Sequence, residues 1–329
     1  MAHPLASGII PAVILPFETN GAIDWPTVER YIKQVAAGKP SGIAINMQVG
    51  EVSSLEVAEQ LENIRRCKAA VGGATPILSG VNATNTAGAV DLAKRMLEAG
   101  ADGLVIFPPV PAFMGAVATA MVADYHAAIA RAMPASVPML AFQTVFSQYP
   151  RGTITALSEI PNIVAIKDAS FDVEMTLDNV KEARAAKRRI GVLTGSDTFI
   201  LEAMLMGCDG ALIGFASAAT AELVRMHTLA TQGKITEAYE IWAKLGPLAR
   251  ICWRNPKRDY RVRTKYALMR QGVLQNAYVR PPFTEIAAAD RADIDAAIRE
   301  HGLDAPRFHP AGRTWPASAV SEKQLATAK

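Results

Sequence analysis

The sequence is poor in several features that would mark particular classes of protein. Aromatic residues make up only 6% of its 329 residues, and its three cysteines are Cys67, Cys208 and Cys252. Because the cysteines are odd in number, far apart and never in a CxxC pair, we expect neither a disulfide framework nor a zinc site. No apolar run approaches the roughly 18 residues of a transmembrane helix, and the first residues lack the pattern of a signal peptide.

The net charge is also small, +3 from 34 basic and 31 acidic side chains. It provides no basic surface of the kind that binds nucleic acid, and no basic amphipathic helix of the kind that binds membranes. We therefore expect a cytoplasmic protein that binds neither. Half of the residues are hydrophobic, which is enough for a large core in a chain of this length.

What the sequence does contain is a repeated alternation of short apolar runs with longer helical segments. The runs are near-continuously apolar, which is typical of parallel strands buried on both faces. They are Ile9–Leu15, Gly42–Ile45, Pro76–Gly80, Gly103–Phe107, Pro138–Phe142, Ile163–Lys167, Gly191–Thr194 and Gly210–Ile213. Eight such units in about 215 residues predict a closed (β/α)8 TIM barrel. An open sheet is disfavoured because no strand precedes a GxGxxG or GxxxxGK[ST] loop.

Capping residues and apolar periodicity predict the helices. Asp24 has the position of an N-cap, and Ser53 and Glu56 have capping-box spacing before a helix over 57–71. Beyond the eighth strand, further helices are predicted over Ala221–Ala230, Lys234–Leu245 and Tyr260–Met269. The chain is thus predicted to form a barrel over 1–220, a C-terminal helical appendage over 221–303 and an extended or disordered tail over 304–329.

A single lysine ends the sixth predicted strand. Lys167 follows Ile163-Val-Ala-Ile, and the functional groups of (β/α)8 barrels lie at the carboxyl ends of the strands. Burial there would lower the pKa of the lysine and make a neutral, nucleophilic amine available. Its position alone is equally compatible with a lysine that reaches solvent or pairs with Asp168.

Several segments together resemble the family of dihydrodipicolinate synthase and N-acetylneuraminate lyase, the class I aldolases that act on pyruvate-type substrates. The resemblance spans roughly residues 7–300. The segments that carry it are Pro11–Asp24, Gly80–Val90, Ala99–Gly103, Ile163–Ser170, Leu193–Asp197, Met206–Gly210 and Val279–Phe283.

The resemblance implies a lyase in which Lys167 forms a Schiff base with a 2-oxo acid and catalyses aldol cleavage or condensation. It also implies a homotetramer and no metal or organic cofactor. Gly50 and Glu51 match the end of the family's Gly-Thr-Thr-Gly-Glu loop after the second strand. Gly195 and Leu212 match positions that line the 2-oxo acid pocket.

The sequence departs from the family at the three hydroxyl groups of the usual proton relay. Gln48 and Val49 stand where the family has two threonines, and Phe142 stands where it has a tyrosine. The segment Pro108–Pro111 contains no tyrosine to lend to a neighbouring subunit. These departures argue against dihydrodipicolinate synthase activity itself. With Pro109 and Val110, they predict an apolar pocket for a substrate bulkier or less hydroxylated than aspartate semialdehyde.

Residues that could replace the missing hydroxyl groups lie near the fifth and second strands. Tyr149 could return a hydroxyl to the site, Arg151 could bind a carboxylate, and Glu51 or Gln48 could assist. The basic cluster over 254–263 predicts a solvated helix boundary or subunit contact, with phosphate binding as an alternative. Two other functions stay open: a dehydratase of 2-oxo-3-deoxy sugar acids that uses the same imine, and a homologue that binds a keto acid without turnover.

Overall fold

The computed structural model describes residues 3–109 and 117–303, and these contain a barrel of eight parallel strands. The strands are β1 (Gly8–Pro11), β2 (Ile43–Ile45), β3 (Ile77–Val81), β4 (Gly103–Ile106), β5 (Met139–Thr144), β6 (Ile163–Ala169), β7 (Gly191–Thr194) and β8 (Gly210–Ile213). Their order is β1-β8-β7-β6-β5-β4-β3-β2. A parallel bridge between Ala12 and Ala44 joins the two end strands and closes the barrel. The predicted (β/α)8 TIM barrel is confirmed.

The strands β5 and β6 extend two residues beyond the predicted ends. Their register continues through Gln143 opposite Asp168 to Thr144 opposite Ala169. The Gln143 Nε2 atom donates to Asp168 Oδ1 at 2.9 Å, and this bond supports the extension. Lys167 therefore lies within β6, two residues before its end, rather than at the last position.

Helices surround the strands and continue beyond them. Those in the described residues are α1 (Trp25–Ala37), α2 (Val57–Val71), α3 (Thr86–Glu98), α4 (Thr119–Arg131), α5 (Thr153–Ser158), α6 (Val173–Ala185), α7 (Ile200–Leu205), α8 (Thr220–Thr231), α9 (Ile235–Cys252), α10 (Tyr260–Arg270) and α11 (Ala288–Glu300). Helix α8 packs against β1 and α1, so it belongs to the outer ring of the barrel. The domain division at residue 220 stays a prediction, and residues 110–116 and 304–329 lie outside the described residues.

The N-termini of α1 and α2 confirm one predicted cap and contradict the other. The Asp24 side chain accepts from Thr27 N at 3.1 Å and caps α1 as predicted. The predicted pairing of Ser53 with Glu56 is wrong, because Ser53 lies within a short 3-10 turn over Val52–Ser54. Glu56 is itself the N-cap of α2, and its backbone N–H donates to the Glu59 carboxylate at 3.0 Å.

The C-terminal helices share a core with the barrel. A cluster of buried side chains combines Ile9 of β1 and Ile213 of β8 with Trp242, Leu248 and Val262 of the helices. Because α9 buries Leu248 on this surface, it continues through Pro247 and beyond its predicted end at Leu245. The helices are therefore fixed against one end of the barrel. None of the helices in the described parts of the chain has the length and apolar character needed to cross a membrane.

Candidate active site

A cavity of about 580 Å³ lies at the carboxyl ends of the strands. One side is formed by the strands and the loops that follow them, including Ala12, Met47, Gln48, Val49, Phe142, Thr144, Lys167, Ala169, Gly195, Asp197 and Gly214. Another part of the lining comes from the connection between α9 and α10, with Trp253, Asn255, Pro256, Lys257, Arg258, Tyr260 and Arg261. The position agrees with that of active sites in (β/α)8 barrels.

Strand β6 places Lys167 in the cavity wall between two neighbours. It pairs in register with Phe142 of β5 and Leu193 of β7. The side chain is 7% exposed, and its Nζ lies 4.2 Å from the centre of the Phe142 ring. Burial lowers the pKa of Lys167 below the ordinary 10.5, and the Asp197 carboxylate opposes this shift without cancelling it. A neutral amine is thus available at lower pH than on an exposed lysine.

Asp168 points away from Lys167, because successive side chains of a strand lie on opposite faces. Its carboxylate accepts hydrogen bonds of 2.8 to 3.2 Å from Gln143 Nε2, Ser170 N, Thr176 Oγ1 and Asn179 Nδ2. These bonds connect β6 to its neighbours on the helix side. The pairing of Asp168 with Lys167 that the sequence left open is therefore excluded.

Asp197, three residues after the end of β7, is a site residue to which sequence reasoning gave no function. Among the described residues that line the cavity, it is the only carboxylate. It is buried, and its Oδ1 accepts from Phe215 N at 2.7 Å. Burial raises the pKa of Asp197, while this hydrogen bond and Lys167 oppose the change. Its position just after a strand in Gly195-Ser-Asp197 was the available signal.

Five of the residues predicted from the sequence line the cavity. They are Gln48, Val49, Phe142, Lys167 and Gly195. Gly195 allows a close approach of β6: a Cβ atom there would lie 2.9 Å from Lys167 Cε and 2.7 Å from Ala169 Cβ. The absence of a side chain at this position therefore leaves room for the lysine.

Three further predicted residues lie outside the lining of the cavity. Leu212 is buried within β8, and Gly50 packs against the backbone of Val13. Glu51 is fully buried, where it accepts hydrogen bonds from Lys265 Nζ at 2.5 Å and from the backbone N–H of Arg280 at 2.9 Å. These contacts occupy both carboxylate oxygens of Glu51 in holding the loop after β2.

Tyr149 and Arg151 also lie away from the cavity lining. The Tyr149 hydroxyl donates to the backbone oxygen of Phe142 at 2.8 Å, so it lies against β5. Burial raises the pKa of Tyr149. The Arg151 side chain is 85% exposed and binds Asp178 at 2.6 Å on the surface. The structure therefore does not bring either residue together with Lys167.

The basic cluster over 254–263 divides into two groups. Arg254 and Arg263 form ion pairs with Asp290. Lys257, Arg258 and Arg261 instead line the cavity. The connection between α9 and α10 folds back over the barrel mouth, so Lys257 and Arg261 are half-buried there, whereas Arg258 is exposed and pairs with Asp259 at 3.4 Å. The predicted solvated boundary therefore agrees with Arg258 but not with Lys257 and Arg261. In the part of the chain that the structure describes, no group of three or more His, Cys, Asp or Glu residues is placed to hold a metal ion.

Comparison with known proteins decides the family. The model of the dihydrodipicolinate synthetase family matches residues 5–301. The chain belongs to this family. As a member of the dihydrodipicolinate synthetase family, it is a lyase of the class I aldolase type, as the resemblance implied.

Relatives and solved structures of this family match nearly the whole chain. The 4-hydroxy-tetrahydrodipicolinate synthase of Stutzerimonas stutzeri is 28% identical over 307 residues, which cover 91% of this chain and 99% of the relative. The corresponding synthase of Hyphomonas neptunium is 30% identical, with 90% and 99% covered. The dihydrodipicolinate synthase of Acinetobacter baumannii, solved with pyruvate, is similar with a TM-score of 0.81 at 25% identity and covers 91% and 99%.

Proposed function

We propose that the Lys167 amine attacks the carbonyl carbon of a 2-oxo acid, loses water and forms an imine. In aldol cleavage the bond between C3 and C4 breaks, and its electron pair moves into the imine to give an enamine, while the C4 hydroxyl gives up its proton. Condensation is the reverse. The observation that carries the proposal is a buried amine in the wall of a cavity, with no carboxylate within ion-pair distance among the described residues.

Asp197 supplies the proton transfer that these steps need. Its carboxyl shares the cavity with Lys167, and its raised pKa keeps part of it protonated near neutral pH. The protonated form can donate to the hydroxyl that leaves as water, and the ionised form can accept the proton released on C–C cleavage. This assignment replaces Tyr149, whose hydroxyl is engaged by the backbone of Phe142.

We expect the aldehyde that reacts with the enamine to differ from the one used by the synthases among the relatives. Phe142 has no hydroxyl, and the wall formed with Val49 and Met47 is apolar. A substrate with a bulkier, less hydroxylated end is therefore favoured, and we expect little synthesis of 4-hydroxy-tetrahydrodipicolinate. The same imine would serve loss of water from a 2-oxo-3-deoxy sugar acid, so products must be identified directly.

The test is reduction with borohydride in the presence of pyruvate, followed by mass spectrometry of the peptides. We expect a reduced adduct on Lys167 and none in the Lys167→Met variant. Two other lysines provide internal controls: Lys257 also lines the cavity, and Lys265 is buried with its pKa lowered to about 8, but it is paired with Glu51. Adduct on either of these instead, or none on folded protein with pyruvate and larger 2-oxo acids, would refute the proposal.

A further inference from the structure

Lys257 lies half-buried in the cavity wall without an acidic partner. Its Nζ is 3.6 Å from the centre of the Phe171 ring. Among the described residues, no carboxylate lies within ion-pair distance of it. Burial lowers the pKa of Lys257, and the Asp197 carboxylate in the same cavity opposes this change from beyond ion-pair distance.

Arg261 is held in the same wall by neutral groups. Its guanidinium carbon lies 4.5 Å from the centres of the Tyr260 and Phe283 rings. Its Nε donates to the backbone oxygen of Gln48 at 2.8 Å, and Nη1 donates to the backbone oxygen of Arg258 at 3.2 Å. These contacts fix the side chain but leave its charge without a carboxylate among residues 3–109 and 117–303.

Neighbouring cations of the C-terminal region are matched with acids. The pairs are Arg254 with Asp290 and Asp293, Arg263 with Asp290, Lys265 with Glu51, Arg270 with Asp295, and Arg280 with Glu59. Buried charges are normally paired because an unpaired one is costly. Arg258 also lines the cavity but pairs with Asp259 at 3.4 Å. Lys257 and Arg261 are thus the exceptions, and a ligand in the cavity is positioned to complete them.

We propose that Lys257 and Arg261 form a subsite for a carboxylate at the end of the substrate remote from its 2-oxo acid group. The inference rests on the imine chemistry proposed for Lys167. The part of the lining that carries these cations is contributed by the C-terminal region, whereas Lys167 belongs to strand β6. The substrate class is therefore a 2-oxo acid, or its aldol adduct, with a second carboxylate.

The space between the two ends suits an apolar or aromatic middle. Phe142, Phe171, Trp253 and Tyr260 line the cavity. Pockets for drug-sized ligands begin at about 300 Å³, so a cavity of about 580 Å³ holds much more than a three-carbon acid. Pyruvate alone would leave the two cations unmatched.

Calorimetric binding to the Lys167→Met variant tests the subsite without imine formation. The ligands are 2-oxoglutarate, 2-oxoadipate, 2-oxopimelate and 4-carboxyphenylpyruvate, each compared with the 2-oxo acid of the same carbon skeleton that ends in a methyl group or an unsubstituted ring. At the length that spans the cavity, we expect the dicarboxylate to bind about tenfold or more tightly, the gain of one charge-assisted hydrogen bond.

Matched substitutions assign that gain to the cavity wall. Adding Lys257→Met, which keeps the stem beside Phe171, should abolish the advantage of the dicarboxylate. Adding Lys244→Met, at an exposed lysine of α9, should preserve it. If no dicarboxylate exceeds its partner, or if the advantage survives Lys257→Met, the subsite is refuted.

Borohydride trapping of pyruvate on the chain with Lys167 intact tests imine formation separately from the carboxylate subsite. An adduct on Lys167 without a dicarboxylate advantage retains the imine and removes the subsite. An advantage without any adduct retains the subsite and removes the imine.

Discussion

Burial shifts the pKa values of Asp197 and Lys167 in opposite directions. Burial raises the pKa of the carboxyl above its ordinary 3.8 and lowers that of the amine below its ordinary 10.5. Each shift favours the uncharged form. At the residue scale, burial therefore brings the neutral amine and the protonated acid closer together on the pH scale, and imine formation requires that combination.

The Asp197→Asn variant should lower turnover by about 10²- to 10⁴-fold, the usual contribution of general acid–base catalysis. The wild-type rate should pass through a maximum between the pKa values of Asp197 and Lys167, where the protonated acid and the neutral amine coexist most often. The falling limb should disappear in the variant. Steady-state rates across pH test this, with Asp197→Glu expected to restore part of the activity. Turnover within threefold of wild type, or an unchanged falling limb, would contradict a catalytic Asp197.

The sequence predicted the proposed nucleophile and part of the lining around it, but gave no function to Asp197 and did not place Lys257 and Arg261 in the site. Lys167 follows an apolar run in the sequence, so its place near the barrel mouth is encoded locally. Lys257 and Arg261 reach the same cavity only because the connection between α9 and α10 folds over the barrel, and no local pattern reports that contact. The expectation that the Tyr149 hydroxyl returns to the site fails for a related reason, because this hydroxyl donates to the nearby backbone oxygen of Phe142.

At the scale of elements, a buried ion pair joins the loop after β2 to helix α10. Glu51 and Lys265 are both essentially inaccessible to solvent, with 2.5 Å between Oε1 and Nζ. Glu51 also has positive φ, at 58°, so the loop bends sharply at this residue. The pair thus fixes the C-terminal helices next to the strand side of the cavity.

Glu51→Gln should lower the free energy of unfolding by roughly 3–5 kcal/mol, because it leaves the Lys265 charge buried without its acid. Chemical denaturation at neutral pH measures the change. The second substitution in Glu51→Gln/Lys265→Met should recover much of the loss. Glu237→Gln is the matched control: its pair with Lys234 is about half exposed at 3.8 Å, so we expect a change within about 0.5 kcal/mol. Equal losses in both single variants would contradict a special importance of the buried pair.

The strands were predictable from sequence because burial on both faces requires continuous apolar runs, such as Gly191–Thr194, which is exact at both ends. Helix α11 was missed for the opposite reason. Its only large apolar residues are Ile294 and Ile298, and their buried contacts become evident only with the folded neighbours. Elements that depend on distant surfaces therefore escaped prediction, whereas elements defined by their own composition did not.

At the scale of the whole molecule, the shared core predicts that the barrel and the C-terminal helices unfold together. Trp242 and Trp253 lie in the cluster that also contains strand residues Ile9 and Ile213. In a Trp25→Phe/Trp315→Phe variant, their fluorescence should change at the same denaturant concentration as the far-ultraviolet circular dichroism. A fluorescence transition that clearly precedes the loss of circular dichroism would show that the helices separate first.

The homotetramer implied by the resemblance stays a prediction, which sedimentation would test.

The two sides of the cavity lie far apart in the order in which the chain is synthesised. Lys167 is translated with the sixth strand, whereas the wall from Trp253 to Arg261 follows all eight strands. A nascent chain on the ribosome therefore carries Lys167, the proposed nucleophile, before it has the wall that covers it. The amine acquires its full chemical environment only after the C-terminal helices have emerged and docked, so the site is completed late in biosynthesis.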